Sequence, residues 1–271
     1  MKWIYVFVCF STGIAVFSCR KPSQDIELVV HQTEAAARGE MVIAEIIGAP
    51  ANARIGWSLS PISEHVQPSP DGRMARVLLN CACYKEYTIN AVVYPYSDSS
   101  SINFSKTITA KSDEYFTIPS SLPANEVQPM TGDRLLLMPL FDYADSSLIF
   151  YARTTHSYEC FNAYIVPENI NISNGGIKAT FNKVWAPGNS KGPEMPAQAL
   201  LFTKQYFKDG TYTIDITFNN KLYQGTLEVS KYAKQFAFHW PHTDVNFSNF
   251  GLYFMTMKVS ADGSVTTYSA F

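Results

Sequence analysis

The densest group of side chains able to do chemistry is His239-Trp240-Pro241-His242, with Asp244 two residues on. Two imidazoles and a carboxylate are common metal ligands. Their spacing argues against that use. His239 and His242 lie three apart in a segment that reads as a strand ending at Pro241, so they project to opposite faces unless a turn brings them together. No metal or other cofactor is expected. A second group is His156-Ser157-Tyr158-Glu159-Cys160. A reactive thiol–imidazole pair needs something to lower the thiol pKa, such as a helix N-terminus, and this stretch reads as a loop leading into a strand. The sequence has no Gly-x-Ser-x-Gly, His-Glu-x-x-His or phosphate loop. Asp142 and Asp145 are too loosely spaced for a calcium loop. No carboxylate pair stands out as a glycosidase dyad, although such dyads are often distant in sequence. The chain is therefore expected not to be an enzyme, with a glycan-active hydrolase as the less favoured alternative.

Binding chemistry has better material. Trp185, Tyr206, Phe207, Tyr223, Trp240, Phe247, Phe250 and Tyr253 concentrate in the second half. Rings at strand ends can stack on the apolar faces of sugars while His and Asn supply hydrogen bonds. Trp185 opens a Pro/Gly loop and Trp240 abuts Pro241. The candidate ligand-binding residues are Trp185, Tyr206, His239, Trp240 and His242. A sandwich core competes for the same rings, because aromatics bury well.

The elements that must position these residues are short strands. Apolar residues alternate or run in strand-length blocks at 26–30, 40–47, 54–61, 74–81, 87–94 and 102–110, with turn signals such as Gly48-Ala49-Pro50 and Pro68 to Gly72 between them. The expectation is an all-β chain with two antiparallel β-sandwich domains. The first covers 26–110. A connector covers 111–126, where Pro119 and Pro123 bracket Ser120-Ser121. A larger, jelly-roll-like sandwich covers 127–271. The best hairpin signal is Thr211 to Phe218, then Asn219-Asn220-Lys221, then Leu222 to Val229. Glu34 to Arg38 and Ala197 to Leu201 are weak helix candidates. In the first half, a strand centred on Trp57 precedes a Pro-rich turn, the apolar strand Ala75 to Leu79 and the Tyr-x-Ile-x-Ala strand Tyr87 to Ala91. This resembles the Ig-like or PKD-like modules of bacterial surface proteins, with Lys85-Glu86 where the family carries Gly. The resemblance implies a spacer or ligand-presenting role rather than catalysis.

The N-terminus supplies an address. Met1-Lys2 precedes an apolar run from Trp3 to Phe17, broken only at Ser11, Thr12 and Gly13. It is shorter than the roughly 20 apolar residues a spanning helix needs and has the layout of a secretory signal. It ends in Val16-Phe17-Ser18-Cys19, followed by Arg20-Lys21-Pro22-Ser23. This resembles the lipobox of bacterial lipoproteins, with Val16 where the commonest form has Leu. The resemblance implies a signal peptide over 1–18, a lipid on Cys19, a tether over 19–25 and a place in the bacterial cell envelope, anchored to the outer membrane on either face. The whole resembles Bacteroidetes-type lipoproteins that pair an N-terminal Ig-like or PKD-like domain with a C-terminal β-sandwich.

Of the five cysteines, Cys9 leaves with the signal and Cys19 takes the lipid. Cys81, Cys83 and Cys160 then allow at most one bridge, and buried thiols are the favoured reading. A formal charge of −2 gives no electrostatic footprint for nucleic acid. The expected function is capture of a glycan or protein ligand through the second sandwich, with the membrane as a partner through Cys19. A fimbrial-type structural subunit is the alternative. The lipoprotein reading predicts a mature chain that begins at an acylated Cys19, as read by mass spectrometry. A mature N-terminus at any other residue removes the anchor.

Overall fold

A computed structural model describes residues 25–31, 36–61, 66–79, 85–96, 100–142, 147–173, 176–187, 192–230, 235–248 and 255–270. Cys19, Cys81 and Cys83 lie outside the described residues. The chain is all-β, as its strand pattern predicts. No α-helix occurs among the described residues, and one short 3-10 turn spans Ala124–Glu126.

The first half contains β1 (Glu27–Val30), β2 (Ala36–Arg38), β3 (Met41–Ile47), β4 (Arg54–Ser60), β5 (Val66–Pro68), β6 (Met74–Leu78), β7 (Glu86–Tyr94) and β8 (Ile102–Tyr115). They form two four-stranded sheets, ordered β1-β3-β6-β5 and β2-β8-β7-β4. Strand β7 shows why. Tyr87, Ile89, Ala91 and Val93 alternate with more exposed neighbours and point into a shared core, as a two-residue period requires. The weak helix candidate ending at Arg38 is instead strand β2, which pairs in parallel with β8. Strand β8 runs past Ala110 to Tyr115.

The second half contains β9 (Val127–Pro129), β10 (Leu135–Asp142), β11 (Ser147–Tyr158), β12 (Tyr164–Ser173), β13 (Gly176–Trp185), β14 (Met195–Tyr206), β15 (Gly210–Phe218), β16 (Lys221–Ser230), β17 (Gln235–His239), β18 (Val245–Phe247), β19 (Met255–Val259) and β20 (Val265–Ala270). They form one sheet, ordered β18-β10-β11-β14-β12-β13-β15-β16-β17-β20-β19, with β9 added on β13. Most pairs are antiparallel, but β10–β18, β12–β14 and β13–β15 are parallel. The sheet encloses one core. Phe150 lies against Phe238 and Phe247, although β11 and β17 are far apart in the strand order. The predicted hairpin is β15–β16, in register from Gly210–Val229 to Phe218–Lys221. Its two turn residues, Asn219 and Asn220, have φ of 51° and 62°, the geometry of a type I′ turn. The other helix candidate, Ala197 to Leu201, lies within β14.

The two halves are joined by a packed seam. In β3 and β6, Val42, Ala44 and Val77 face the first core, while Met41 and Leu78 on the opposite face pack with Met138, Tyr151 and Tyr164 of the second half. Both faces of these strands are thus covered, which explains their continuous apolar character. Arg76 lies in the same seam and is 1% exposed. Its Nε and Nη2 donate to Gln67 Oε1 at 3.0 and 2.9 Å. Nη1 donates to the Phe161 carbonyl at 2.7 Å, and Nη2 to the Pro196 carbonyl at 2.6 Å. Gln198 Nε2 also donates to Gln67 Oε1.

Burial pushes the phenols of Tyr158, Tyr164 and Tyr268 well above their ordinary value of 10.0; at Tyr158 a hydrogen bond to Asp133 adds to this. The folded state therefore favours the protonated phenols. The stability they contribute is complete below pH 10 and is lost as pH rises above it. Burial lowers Arg76 to about 10, which acts in the opposite sense over the same range, one group against three. The expected outcome is a urea midpoint that falls above pH 10, with phenolate absorbance from these tyrosines appearing only together with unfolding.

Candidate functional site

Where the halves meet, a cleft of about 850 Å³ opens. Its origin is topological. Strands β12 and β14 pair in parallel at Tyr164–Gln198, and among the described residues β12 pairs beyond that point only with β13. Register shifts at Val166/Pro167 and Glu168/Asn171, and a φ of 50° at Asn169, bend β12 away. Leu200 of β14 stands on one side of the gap and Val166, Glu168 and Ile170 of β12 on the other. Residues 116–122, leaving β8, supply a further wall.

An aromatic stack sets the floor. Phe116 stacks on Tyr164 at 4.8 Å between centroids, and Tyr164 on Trp185 at 5.6 Å. Phe116 continues the β2 pairing by donating its N–H to the Arg38 carbonyl at 2.7 Å. The Tyr164 hydroxyl accepts the Met41 N–H at 2.9 Å, so the ring that floors the cleft is also tied to the first half. The charged groups are few. Arg38, 4% exposed, donates Nη1 to the Tyr115 hydroxyl at 3.0 Å, and its guanidinium lies 5.0 Å from that ring centroid. Lys183 and Glu168 form an ion pair at 2.8 Å on the rim. A lining of mixed apolar and polar character, with a few fixed polar groups, can orient a ligand.

The sequence-predicted residues are placed differently. Trp240 is 3% exposed. Its Nε1 donates to the Val245 carbonyl at 2.6 Å, its ring meets Phe247 edge-on, and it lies so close over Gly225 that a Cβ there would collide with it. The structure corrects the expectation of a stacking platform at Trp240: core demand took the ring. Trp185 is partly buried, with one face on Tyr164 and its Nε1 donating to Glu126 at 2.9 Å. Its contact with Tyr164 supports the cleft floor. Tyr206 ends β14, and its side chain lies outside the described residues, as do those of Phe250 and Tyr253.

The histidines do not converge. His239, in β17, lies 3.4 Å from Glu228 on the neighbouring strand. His242 lies edge-on to Tyr223 and Trp240, with Nε2 2.9 Å from the Gln224 carbonyl. Asp244 instead accepts the Tyr223 hydroxyl at 3.0 Å. Among the described residues no three His, Cys, Asp or Glu side chains are grouped to hold a metal. The pairing of His156 with Cys160 also does not form. His156 is exposed, with its N–H on Asp133, whereas Cys160 is buried and its thiol donates to Asn162 at 3.1 Å.

No protein-family model matches the chain, and no curated protein matches it. The cleft residues that sequence reasoning missed, Arg38, Phe116, Tyr164 and Lys183, come from strands or connectors far apart in the chain. One signal existed. Pro167 within a strand marks an edge, because proline cannot donate to a ladder. Replacing Trp240 by Ala is expected to cost about 3–5 kcal/mol, the range for a buried large aromatic. Urea denaturation checks this. A change below ~1 kcal/mol would contradict the core placement.

Proposed function

We propose that the chain is a lipid-anchored protein of a bacterial cell envelope that captures an extracytoplasmic glycan or protein segment in the cleft between its two halves. The cleft itself carries this reading. Its volume of about 850 Å³ lies within the ~300–1,000 Å³ range common to ligand sites, which favour domain junctions. The seam around Arg76 and Tyr164 holds the walls in place before a ligand arrives, which lowers the ordering cost of binding. Among the described lining residues Glu168 is the one carboxylate, and it is engaged by Lys183. That supports binding over hydrolysis by a carboxylate pair.

The first half supports the reading as a framework. Its sheet order, β1-β3-β6-β5 facing β4-β7-β8 with β2 as an added edge, corresponds to the ABED and CFG order of immunoglobulin-type sandwiches. A role as a strand-accepting assembly subunit has less support. The open edge of β12 carries a proline, two register shifts and Glu168, devices by which sheets resist strand addition.

The test is a screen of glycan and peptide arrays with the native protein and two cleft variants, Ile118→Asp and Lys183→Glu. Ligands retained by the native protein should lose at least about tenfold in affinity with Ile118→Asp, which places a charge in an apolar wall. Unchanged binding by both variants, or no ligand in either array, would overturn the assignment.

A further inference from the structure

The exposed apolar side chains are unevenly distributed. Among the described residues seven large ones stand exposed: Ile47, Tyr94, Tyr96, Ile102, Ile170, Leu222 and Val259. The first four share one end of the first sandwich. Ile47 closes β3, and residues 48–53 lead from it to Arg54, which pairs with Tyr94 at the end of β7. Tyr96 follows two residues later, and Ile102 opens β8 opposite Val93. Tyr96 is 62% exposed and Ile47 47%.

The second half packs along β6 from Leu78 to Met74, which lies beside Gly192, and the apolar end lies beyond Met74, whose β3 partner Glu45 is two residues before Ile47. Strand β3 begins at Met41, in the seam, and finishes at Ile47. Strand β8 begins at Ile102 and finishes at Tyr115, beside the cleft. The described chain also starts at the apolar end, since Glu27 pairs with Ile47 and the Asp25 carbonyl packs against Gly48. Six residue steps separate Asp25 from Cys19. Fully extended, they reach about 20 Å. A lipid on Cys19 therefore confines this end of the sandwich to the neighbourhood of a bilayer.

We propose that the end formed by Ile47, Tyr94, Tyr96 and Ile102 docks on the lipid surface to which Cys19 anchors the chain. The proposal rests on the lipid-anchor reading given above. Tyrosine suits the role, since its apolar ring and polar hydroxyl favour the membrane–water interface. The Arg54 guanidinium lies 5.5 Å from the Tyr94 ring centroid, so it remains paired with a ring while it approaches headgroups. Charge is not the driving element. Arg54 and Arg73 are opposed at this end by Asp25, Glu27 and Asp71. Apolar contact adds a second attachment to the acyl chains, and firm anchoring generally takes two. The docked sandwich would hold the cleft outward, away from the membrane.

The test uses the mature acylated protein reconstituted in phosphatidylethanolamine–phosphatidylglycerol vesicles. Tyr96→Trp and, separately, Tyr94→Trp place a fluorophore at the docking end, and Leu222→Trp places one in the second half. Brominated acyl chains should quench the added emission at 94 and 96 at least about twofold more than at 222, as expected for rings at the interface. An acylated protein that floats with the vesicles but shows equal quenching at all three positions would overturn the docking and leave the anchor intact. A chain that is not acylated and does not float removes the anchor and the proposal together. Emission at 96 that shifts with protein concentration in lipid-free detergent would assign the patch to a second copy and overturn the lipid surface as its occupant.

Discussion

The arrangement of this chain depends on one buried charge. Arg76 is sealed between the two halves, and its guanidinium is held by the side-chain oxygen of Gln67 and two carbonyls, Phe161 and Pro196. Burial depresses its pKa to about 10, still far above neutral, so the group stays charged under ordinary conditions. A charge taken out of water is costly unless its donors are satisfied. The planar fork of arginine meets that need with several donors fixed in one geometry, which a lysine cannot do. The two carbonyls also decide the shape of the protein. Phe161 lies just before β12 and Pro196 lies within β14, the strands that separate to form the cleft. One side chain of the first half thus holds the base of both walls.

The neighbouring contacts reinforce this. Tyr164 anchors β12 at the point where it leaves β14, receives the Met41 N–H, and stacks with Phe116 and Trp185. Asp133, 6% exposed, accepts the Thr155 and His156 N–H groups and the hydroxyls of Thr155 and Tyr158. It fixes β11 where its register against β14 shifts between Arg153 and Ser157. Buried polar networks that are fully satisfied specify one arrangement among the many that apolar contacts alone allow. Here they fix how two β-units meet, and the binding space follows from that meeting.

The local pattern was legible in the sequence to different depths. Strands β7, β15 and β16 show a two-residue period, and Asn219-Asn220 encodes their hairpin because asparagine tolerates the left-handed region. Strands β3 and β6 are legible as strands, but their two apolar faces do not name the second layer that covers them. Nothing near Arg76 in sequence names the acceptors, Phe161 and Pro196, that meet it. Trp240 abuts Pro241, which places it near a loop, while Gly225, the residue that makes room for its ring, lies on β16 and is distant in sequence. The cleft itself has no local signature: Arg38, Tyr164 and Lys183 meet only through tertiary pairing. Local periodicity reports which face is apolar, but it does not say what lies against that face.

Arg76 and its acceptors join the two halves into one cooperative unit with a preset cleft. Scanning calorimetry of the native protein and of Arg76→Met tests it most directly. One transition is expected for the native chain, and two separated transitions or a markedly lowered single one when the guanidinium is removed and its acceptors are left buried without donors. Two independent transitions in the native protein, unaffected by Arg76→Met, would contradict it.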